Sequence, residues 1–304
     1  MLSKPHILAR QYVGGSLGGL LAGVALKRLG HNIRILEHNP TPLLHDQGAG
    51  VVVGSDTQKF FQKYDLTNHP ITVTSNMRHY LGKQGQEIYQ EDSQQIMTSW
   101  GLLYHLLRAN FDYIESEYCK LPEGLDTEGA STYDYGCTVA GADTQSEDAS
   151  TQANVLIAAD GASSTLRQMF FPKVKRKHAG YVAWRAGTFI EKFTFFHSVG
   201  TQILAYLIPG RTGSLEAGKW LQKKQAAESL PPQFAEIVQK TEVPFVQAIT
   251  DVISPHSALC DGRILFVGDA LAGFRPHTAA STSQAASKAM ALSGLISGTV
   301  SLQE

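Results

Sequence analysis

The stretch Tyr12-Val13-Gly14-Gly15-Ser16-Leu17-Gly18-Gly19-Leu20-Leu21, with Gly30 and then Asn32-Ile33-Arg34-Ile35-Leu36-Glu37 behind it, decides the fold of this chain. Residues 6–13 read as a strand, residues 14–19 as a turn and residues 20–29 as an apolar helix. Gly30 supplies a C-cap, and residues 32–37 alternate polar and apolar as a second strand should. A turn built to hold a dinucleotide needs glycine where the chain bends sharply, where backbone approaches the pyrophosphate and where helix packs on strand. The helix N-terminus then offers unpaired N–H groups and a partial positive charge to the phosphates. Glu37 follows Gly19 by 18 residues (37 − 19), at the end of the second strand, where a carboxylate can accept both ribose hydroxyls. The plainer reading of Glu37 is a surface glutamate beside a tight turn. Ser16 stands where the middle glycine is expected, and its hydroxyl can itself donate to a phosphate. Arg10 and Gln11 are polar residues in a strand expected to be buried on both faces.

Outward from this opening, residues 40–50 form a turn-rich loop and residues 71–90 a hairpin around Gly82 and Gly85. Trp100, Leu103, Leu106, Leu107, Phe111 and Ile114 recur at helical spacing over residues 98–118. Residues 140–153 are polar and aperiodic, a loop or linker. The short apolar run 155–159 closes on Asp160-Gly161. The aromatic and β-branched stretch 181–208 predicts strands of a second sheet, and residues 216–229 and 233–250 read as helices. The ending repeats the opening logic: strand 264–267, turn Gly268-Asp269, a loop to His277 and a small-residue helix to about Ser297. The expected fold class is α/β, a Rossmann-like parallel nucleotide-binding sheet with a second, sheet-based region inserted.

Composition bounds the function. The chain has 304 residues, enough for a sizeable core without disulfide or metal staples. Lys and Arg number 26 against 27 Asp and Glu, so no basic field exists to hold a nucleic acid or an anionic membrane. Cys119, Cys137 and Cys260 are odd in number, far apart and form no CxxC pair, which argues against a disulfide framework or zinc ribbon and predicts a reducing compartment. No stretch approaches the roughly 18 apolar residues of a membrane span, and the N-terminus lacks a secretory apolar segment. A cytoplasmic globular protein is expected.

Two later motifs sharpen this. Ala159-Asp160-Gly161-Ala162-Ser163-Ser164-Thr165-Leu166-Arg167 fills the pattern ADGxxSxxR, and Gly268-Asp269-Ala270 runs on into Phe274-Arg275-Pro276-His277-Thr278-Ala279-Ala280-Ser281. With the opening turn, the trio resembles the FAD-dependent aromatic hydroxylases of the p-hydroxybenzoate hydroxylase type. Those enzymes carry a βαβ fingerprint, a "DG" segment and a "GD" segment in this order. The wording LFVGDALAGFRPHTAASTSQAA is most similar to a subgroup akin to 2,6-dihydroxypyridine hydroxylase, whose fingerprint is likewise GGSLGG-like.

The resemblance implies a role for each piece. Gly14, Gly15, Ser16, Leu17, Gly18, Gly19 and Glu37 would hold the pyrophosphate and ribose of FAD. Arg108 would face the FAD phosphates, its plainer reading being a solvated helix arginine. Asp160 and Gly161 would lie near the pyrophosphate, in a segment tied to NAD(P)H use. Gly268-Asp269 would meet the ribityl chain, with Asp269 accepting a hydrogen bond. The loop and helix start that begins at Pro276 would direct backbone N–H groups, those of Thr278, Ala279, Ala280 and Ser281, at the flavin's pyrimidine edge. Gly50, ending the run Gln47-Gly48-Ala49-Gly50, would pass near the isoalloxazine, or belong to a flexible loop. The implied chemistry is hydride transfer from NAD(P)H to FAD, addition of O₂ to give a C4a-hydroperoxide, and oxygen transfer to a phenol- or hydroxypyridine-like small aromatic substrate in a dry pocket. No second GxGxxG exists for the nicotinamide, in keeping with transient NAD(P)H binding. No metal is called for. His277 is a candidate to polarise a phenol, or a structural histidine. Tyr181 and Arg185, with Trp184, either line the substrate pocket or belong to the core of the second sheet.

The implied domain division gives residues 1–70, 98–175 and 255–304 to the FAD-binding domain and residues 71–97 and 176–254 to the substrate domain. The chain is short for this family: residues 140–153 stand where paired strands are expected, the text jumps between Arg185 and Glu191, and a helix-like stretch replaces sheet between Gly218 and Ser229. A substrate domain shortened in this way leaves two other readings open: a non-catalytic flavin-fold relative acting as a binding or interaction protein, and a nicotinamide-dependent reductase. A homodimer is compatible with each reading.

Overall fold

The computed structural model describes residues 9–41, 50–142, 153–185, 194–198, 201–205, 230–240 and 245–299. Strand β1 (Ala9–Val13) leads through the glycine turn into helix α1 (Leu17–Lys27) and back into β2 (Asn32–Leu36). Next come β3 (Gly50–Val52), α2 (Ser55–Tyr64), β4 (Val73–Leu81), β5 (Glu87–Ser99) and α3 (Trp100–Asp112). Then follow β6 (Ser131–Asp134), β7 (Val155–Ala158), the short α4 (Thr165–Phe170), β8 (Lys177–Arg185), β9 (Thr194–Ser198) and β10 (Thr201–Ala205). The remainder holds α5 (Pro232–Lys240), β11 (Phe245–Ile253), β12 (Ala258–Leu259), β13 (Ile264–Phe266), β14 (Ala272–Gly273) and α6 (Ser281–Ser297), with 3₁₀ turns at Gly268–Ala270 and Pro276–Thr278.

The principal sheet has the order β12-β13-β7-β1-β2-β6, parallel except for the edge strand β12. Val13 pairs with Leu36 on one side and Ala158 on the other, so β1, β2 and β7 end together and present their following loops on one edge. In a parallel sheet that carboxyl edge is where a ligand crevice forms. One face is covered by α1, α2, α3 and α6 through Leu20, Leu21, Leu26, Ile33, Ile35, Phe60, Leu103, Leu106, Phe111 and Ala286; the other buries Val13, Ala158, Leu166, Ile264 and Phe266. Burying one such leucine, isoleucine or phenylalanine is worth about 1.5–3 kcal/mol, which is why these small-residue helices hold their places.

The inserted region forms two further sheets. One has the order β10-β9-β4-β5-β3, the other β14-β11-β8. The single second sheet expected over residues 181–208 is thus divided: β8 pairs with β11, while β9 joins β4 in parallel. β5 runs unbroken through residues 97 and 98, and β3 pairs there through Gly50 opposite Ser99.

Other expectations need correction. The first helix begins at Leu17, three residues early, because Ser16 takes the extended N-cap conformation and the glycines pack within the first turn. The helix expected to Tyr118 stops at Asp112. Tyr113 turns left-handed (φ 58°) there, and Lys27 Nζ takes up the carbonyl oxygens of Asn110 (3.2 Å) and Phe111 (2.7 Å). The helix expected over 233–250 ends at Lys240, and β11 follows because its β-branched run pairs along β8. The hairpin over 71–90 is present, with β5 extending to Ser99. Parts of the expected 6–13 strand and of the 40–50 and 140–153 loops, the 186–193 jump, residues 206–208 and the 216–229 helix lie outside the described residues.

Candidate functional site

The glycine turn sits at the carboxyl edge between β1 and α1. Gly14 has φ +103°, and a Cβ placed on it would lie 2.2 Å from the Ala159 carbonyl oxygen. On Gly19 a Cβ would lie 2.0 Å from the Gly14 carbonyl oxygen, and on Gly18 it would be 3.3 Å from Gly268 Cα. These absences of side chain let three segments meet: the turn, the end of β7 and the Gly268-Asp269 segment. The N–H groups of Ser16, Leu17, Gly18 and Gly19 have no acceptor among the described residues. Ser16 is exposed and its hydroxyl makes no capping bond. The start of α1, an 11-residue helix, therefore presents backbone N–H groups without acceptors at the end whose dipole favours negative charge.

Glu37 follows β2 and is 7% exposed. Its Oε2 accepts from Gly15 N (2.7 Å), and its Oε1 accepts from Asn39 N (2.9 Å) and Asn39 Nδ2 (2.7 Å). The carboxylate thus braces the turn; Asn39 fills both acceptor positions of Oε1, and Oε2 remains able to accept once more.

Arg108 does not face an open seat. It is 1% exposed, and its Nε and Nη2 donate to Asp112 Oδ1 (2.9 Å) and Oδ2 (2.7 Å) while Nη1 donates to Tyr104 Oη (2.6 Å). Burial opposes its charge, but the paired Asp112 outweighs this and holds the guanidinium protonated, above its ordinary value. Its flat face lies 3.8 Å from the centroid of the Tyr133 ring, and Tyr133 in turn donates to the Gly15 carbonyl oxygen at 2.9 Å. Arg108 is one side chain removed from the turn, because the half-buried Asp112 carboxylate on its own helix competes for it. Tyr133 is the turn-contacting residue that sequence reasoning missed. The signal for it was the doubled glycine: a residue at position 15 has no need to be glycine for the bend itself, yet a Cβ there would lie 1.9 Å from Tyr133 Oη.

The Asp160-Gly161 and Gly268-Asp269 segments are stitched by one side chain. Arg167, 1% exposed, donates through Nη1 to the carbonyl oxygens of Asp269 (3.2 Å) and Ala270 (2.8 Å), and through Nη2 to that of Ala162. Ser164 caps α4 by accepting from Arg167 N (2.9 Å), and Asp160 Oδ2 accepts from Leu166 N (3.2 Å). Asp160 Oδ1 is buried with no partner among the described residues. The carboxylate of Asp269 has no hydrogen-bond partner there either. Asp269 is exposed on one side, while the protein atoms around its carboxyl group push its pKa up, with Arg167 and Arg176 opposing.

The loop after this segment turns through Pro276–Thr278 and a left-handed Ala279 (φ 53°) into α6. Ala280 caps α6 without a side-chain bond, and the first N–H groups of the helix have no acceptor among the described residues. α6 packs against α1 and against the Gly268–Ala270 turn. Arg275 is held by Asp251 through Nε (2.8 Å) and Nη2 (2.7 Å). Tyr181 lies on β8 and is 39% exposed. Gln47, Gly48 and Ala49, and the side chains of Trp184, Arg185 and His277, lie outside the described residues. Among the described residues no cluster of metal-ligating side chains occurs, and no helix is long and apolar enough to cross a membrane.

The chain is similar in sequence to monooxygenases that act on hydroxypyridine-type rings and shares their α/β fold. Residues 219–251 match a family model described as FAD binding domain-like. Among curated proteins the chain is 24% identical to 2,6-dihydroxypyridine 3-monooxygenase of Paenarthrobacter nicotinovorans, over 92% of this chain and 80% of the relative. It is likewise 24% identical to 6-hydroxynicotinate 3-monooxygenase of Pseudomonas fluorescens, over 92% and 79%. Among solved structures, 2,6-dihydroxypyridine-3-hydroxylase from Arthrobacter nicotinovorans superposes with a TM-score of 0.77 at 23% identity, covering 99% of this chain and 86% of that one. HpxO of Klebsiella pneumoniae, complexed with FAD and uric acid, superposes with a TM-score of 0.72 at 20% identity, covering 99% and 83%.

Proposed function

We propose that this chain is a flavin-dependent monooxygenase that hydroxylates a phenol- or hydroxypyridine-like aromatic ring, with FAD as its cofactor and NAD(P)H and O₂ as co-substrates. The observation that carries the reading is the tie at Arg167, which joins the segments after β7 and β13 beside the open N-terminus of α1. A plain nicotinamide-binding sheet has no need of that second tie. The donor set suits FAD: unfilled N–H groups for the pyrophosphate, acceptor capacity on Glu37 for ribose, and the unpartnered Asp269 carboxylate for the ribityl chain.

When bound, the flavin would supply oxygen activation at its C4a position after reduction by NAD(P)H. The chain's own part is to bind, orient and exclude water. Ser16, Leu17, Gly18 and Gly19 would donate to the pyrophosphate, with Asp160 and Gly161 beside it and Gly50 toward the ring system. Backbone N–H groups between Pro276 and Ser281 would meet the pyrimidine edge. The open end of α6 would favour negative charge there. Tyr181, Arg185 and His277 are the proposed substrate-side residues. The proposed division assigns residues 1–70, 98–175 and 255–304 to cofactor binding and residues 71–97 and 176–254 to substrate binding. Cys119, Cys137 and Cys260 are free thiols, in keeping with a cytoplasmic setting.

The test is the visible spectrum of the purified, dialysed protein before and after addition of FAD, followed by NAD(P)H oxidation screened against phenols and hydroxypyridines. Bound FAD with aromatic-stimulated NAD(P)H consumption is expected. Asp269→Ala should weaken FAD binding roughly tenfold or more, the worth of one hydrogen bond to a charged group. A protein that stays colourless in excess FAD would instead support the non-catalytic relative.

A further inference from the structure

We infer that Tyr133 is a positioning residue for the cofactor turn: its hydroxyl fixes the peptide plane that aims the Ser16 N–H at the pyrophosphate. This rests on the FAD reading above. Gly15 is gripped on both sides. Its N–H donates to Glu37 Oε2 at 2.7 Å, and its carbonyl oxygen accepts from Tyr133 Oη at 2.9 Å. The Gly15 carbonyl and the Ser16 N–H belong to one planar trans peptide and point in opposite directions. Holding the carbonyl toward β6 therefore turns the Ser16 N–H away from β6, toward the open end of α1. Glycine has no side chain to restrict that plane, so an external tie is what sets it.

Tyr133 is itself held. The Arg108 guanidinium stacks 3.8 Å from its ring centroid and cannot swing aside, because Asp112 and Tyr104 occupy three of its donors. Tyr135 packs beside the same ring, 4.9 Å between ring centroids, with its own ring 5.5 Å from the guanidinium. Burial, with Tyr104 and Glu37 nearby, pushes the Tyr133 phenol up despite Arg108, which favours the protonated, donating form. The relay Asp112, Arg108, Tyr133, Gly15 gives the buried arginine a task without contact to the phosphates.

The test is Tyr133→Phe, which keeps the ring over Arg108 and deletes only the hydroxyl. FAD binding is read by quenching of flavin fluorescence, and the bound pyrophosphate by phosphorus NMR. The expected result is binding about five- to tenfold weaker, the worth of one neutral hydrogen bond, with displaced phosphorus resonances and an apoprotein melting temperature within about 3 °C of wild type. A merely structural tyrosine would move the melting temperature and leave the phosphorus resonances of bound FAD in place. Wild-type affinity with unmoved resonances in Tyr133→Phe, while the parent protein binds FAD normally, overturns the inference alone. A parent protein that takes up no FAD overturns the FAD reading and this inference with it.

Discussion

Replacing Gly14 with alanine tests the central junction of the fold, because two separable costs meet there. The first is conformational. Gly14 has φ +103°, a region that an L-residue occupies at a cost of about 1–2 kcal/mol. The second is steric. The new Cβ would lie 2.2 Å from the Ala159 carbonyl oxygen and 2.9 Å from Asp160 N, both backbone atoms with no rotamer to yield. Relief requires moving the end of β1 from the end of β7, which breaks Ala159 N to Val13 O (2.7 Å) and strains Gly14 N to Leu36 O (2.9 Å). A buried backbone group left without its partner costs about 1–3 kcal/mol. Gly14→Ala should therefore destabilise by about 4 kcal/mol, a large part of the roughly 5–15 kcal/mol of a typical fold. Gly262→Ala is the matched control, since Gly262 has φ +80° with nothing within 4 Å of the added Cβ. It should show the conformational cost alone, about 1 kcal/mol after the stiffer unfolded chain is allowed for. Urea unfolding followed by circular dichroism gives both values. A Gly14→Ala loss within about 1 kcal/mol of the Gly262→Ala loss would refute the contact between the turn and β7.

Three further outcomes follow from the same structure. Arg167→Met keeps the bulk but leaves the carbonyl oxygens of Ala162, Asp269 and Ala270 without their donor; a stability loss of about 3 kcal/mol is expected in urea unfolding, and a loss under 1 kcal/mol would refute the tie. Glu128 pairs with Lys27 (2.9 Å) and Arg28, all nearly buried; burial opposes its ionisation, but these cations outweigh that and hold its pKa below the usual glutamate value. A depressed folded-state pKa adds stability above the unfolded-state value and loses it as pH falls through the folded-state one. Glu128→Gln should thus cost about 3 kcal/mol at pH 7, and the gap from wild type should shrink below about pH 4; a gap independent of pH would count against the pairing. Ser99→Ala removes the α3 N-cap acceptor of Leu102 N (3.0 Å) and should lower stability by about 1 kcal/mol, measured as a shift in the urea midpoint at unchanged slope.

The βαβ opening, the parallel sheet and the turns at Gly14–Gly19, Asp160-Gly161 and Gly268-Asp269 are legible in the sequence because each is local. A glycine string between two apolar runs reports a bend wherever it occurs, and Asp160-Gly161 and Gly268-Asp269 each close a short buried strand. The hairpin of β4 and β5 was legible for the same reason, its turn lying in contiguous residues. What failed was set by partners distant in sequence. Residues 245–250 carry a helix-compatible apolar pattern, yet β8 offered a ladder and the chain took it. α3 stops at Asp112 because Lys27, 83 residues before Asn110, takes up its end carbonyl groups.

The same distinction divides the site. The family resemblance could nominate Arg108 to face the phosphates but could not show that Asp112 and Tyr104 would claim it, leaving Tyr133 to reach the turn. Gly15 and Tyr133 are 118 residues apart and meet only because β6 lies beside β2 in the folded sheet. Likewise Arg167 was legible as a motif residue, whereas its bonds to Asp269 and Ala270, more than 100 residues onward, exist only once β7 and β13 lie side by side. Local sequence selects which backbone conformations are cheap; which buried donor finds which acceptor is decided by tertiary packing, where every unpaired polar group is costly.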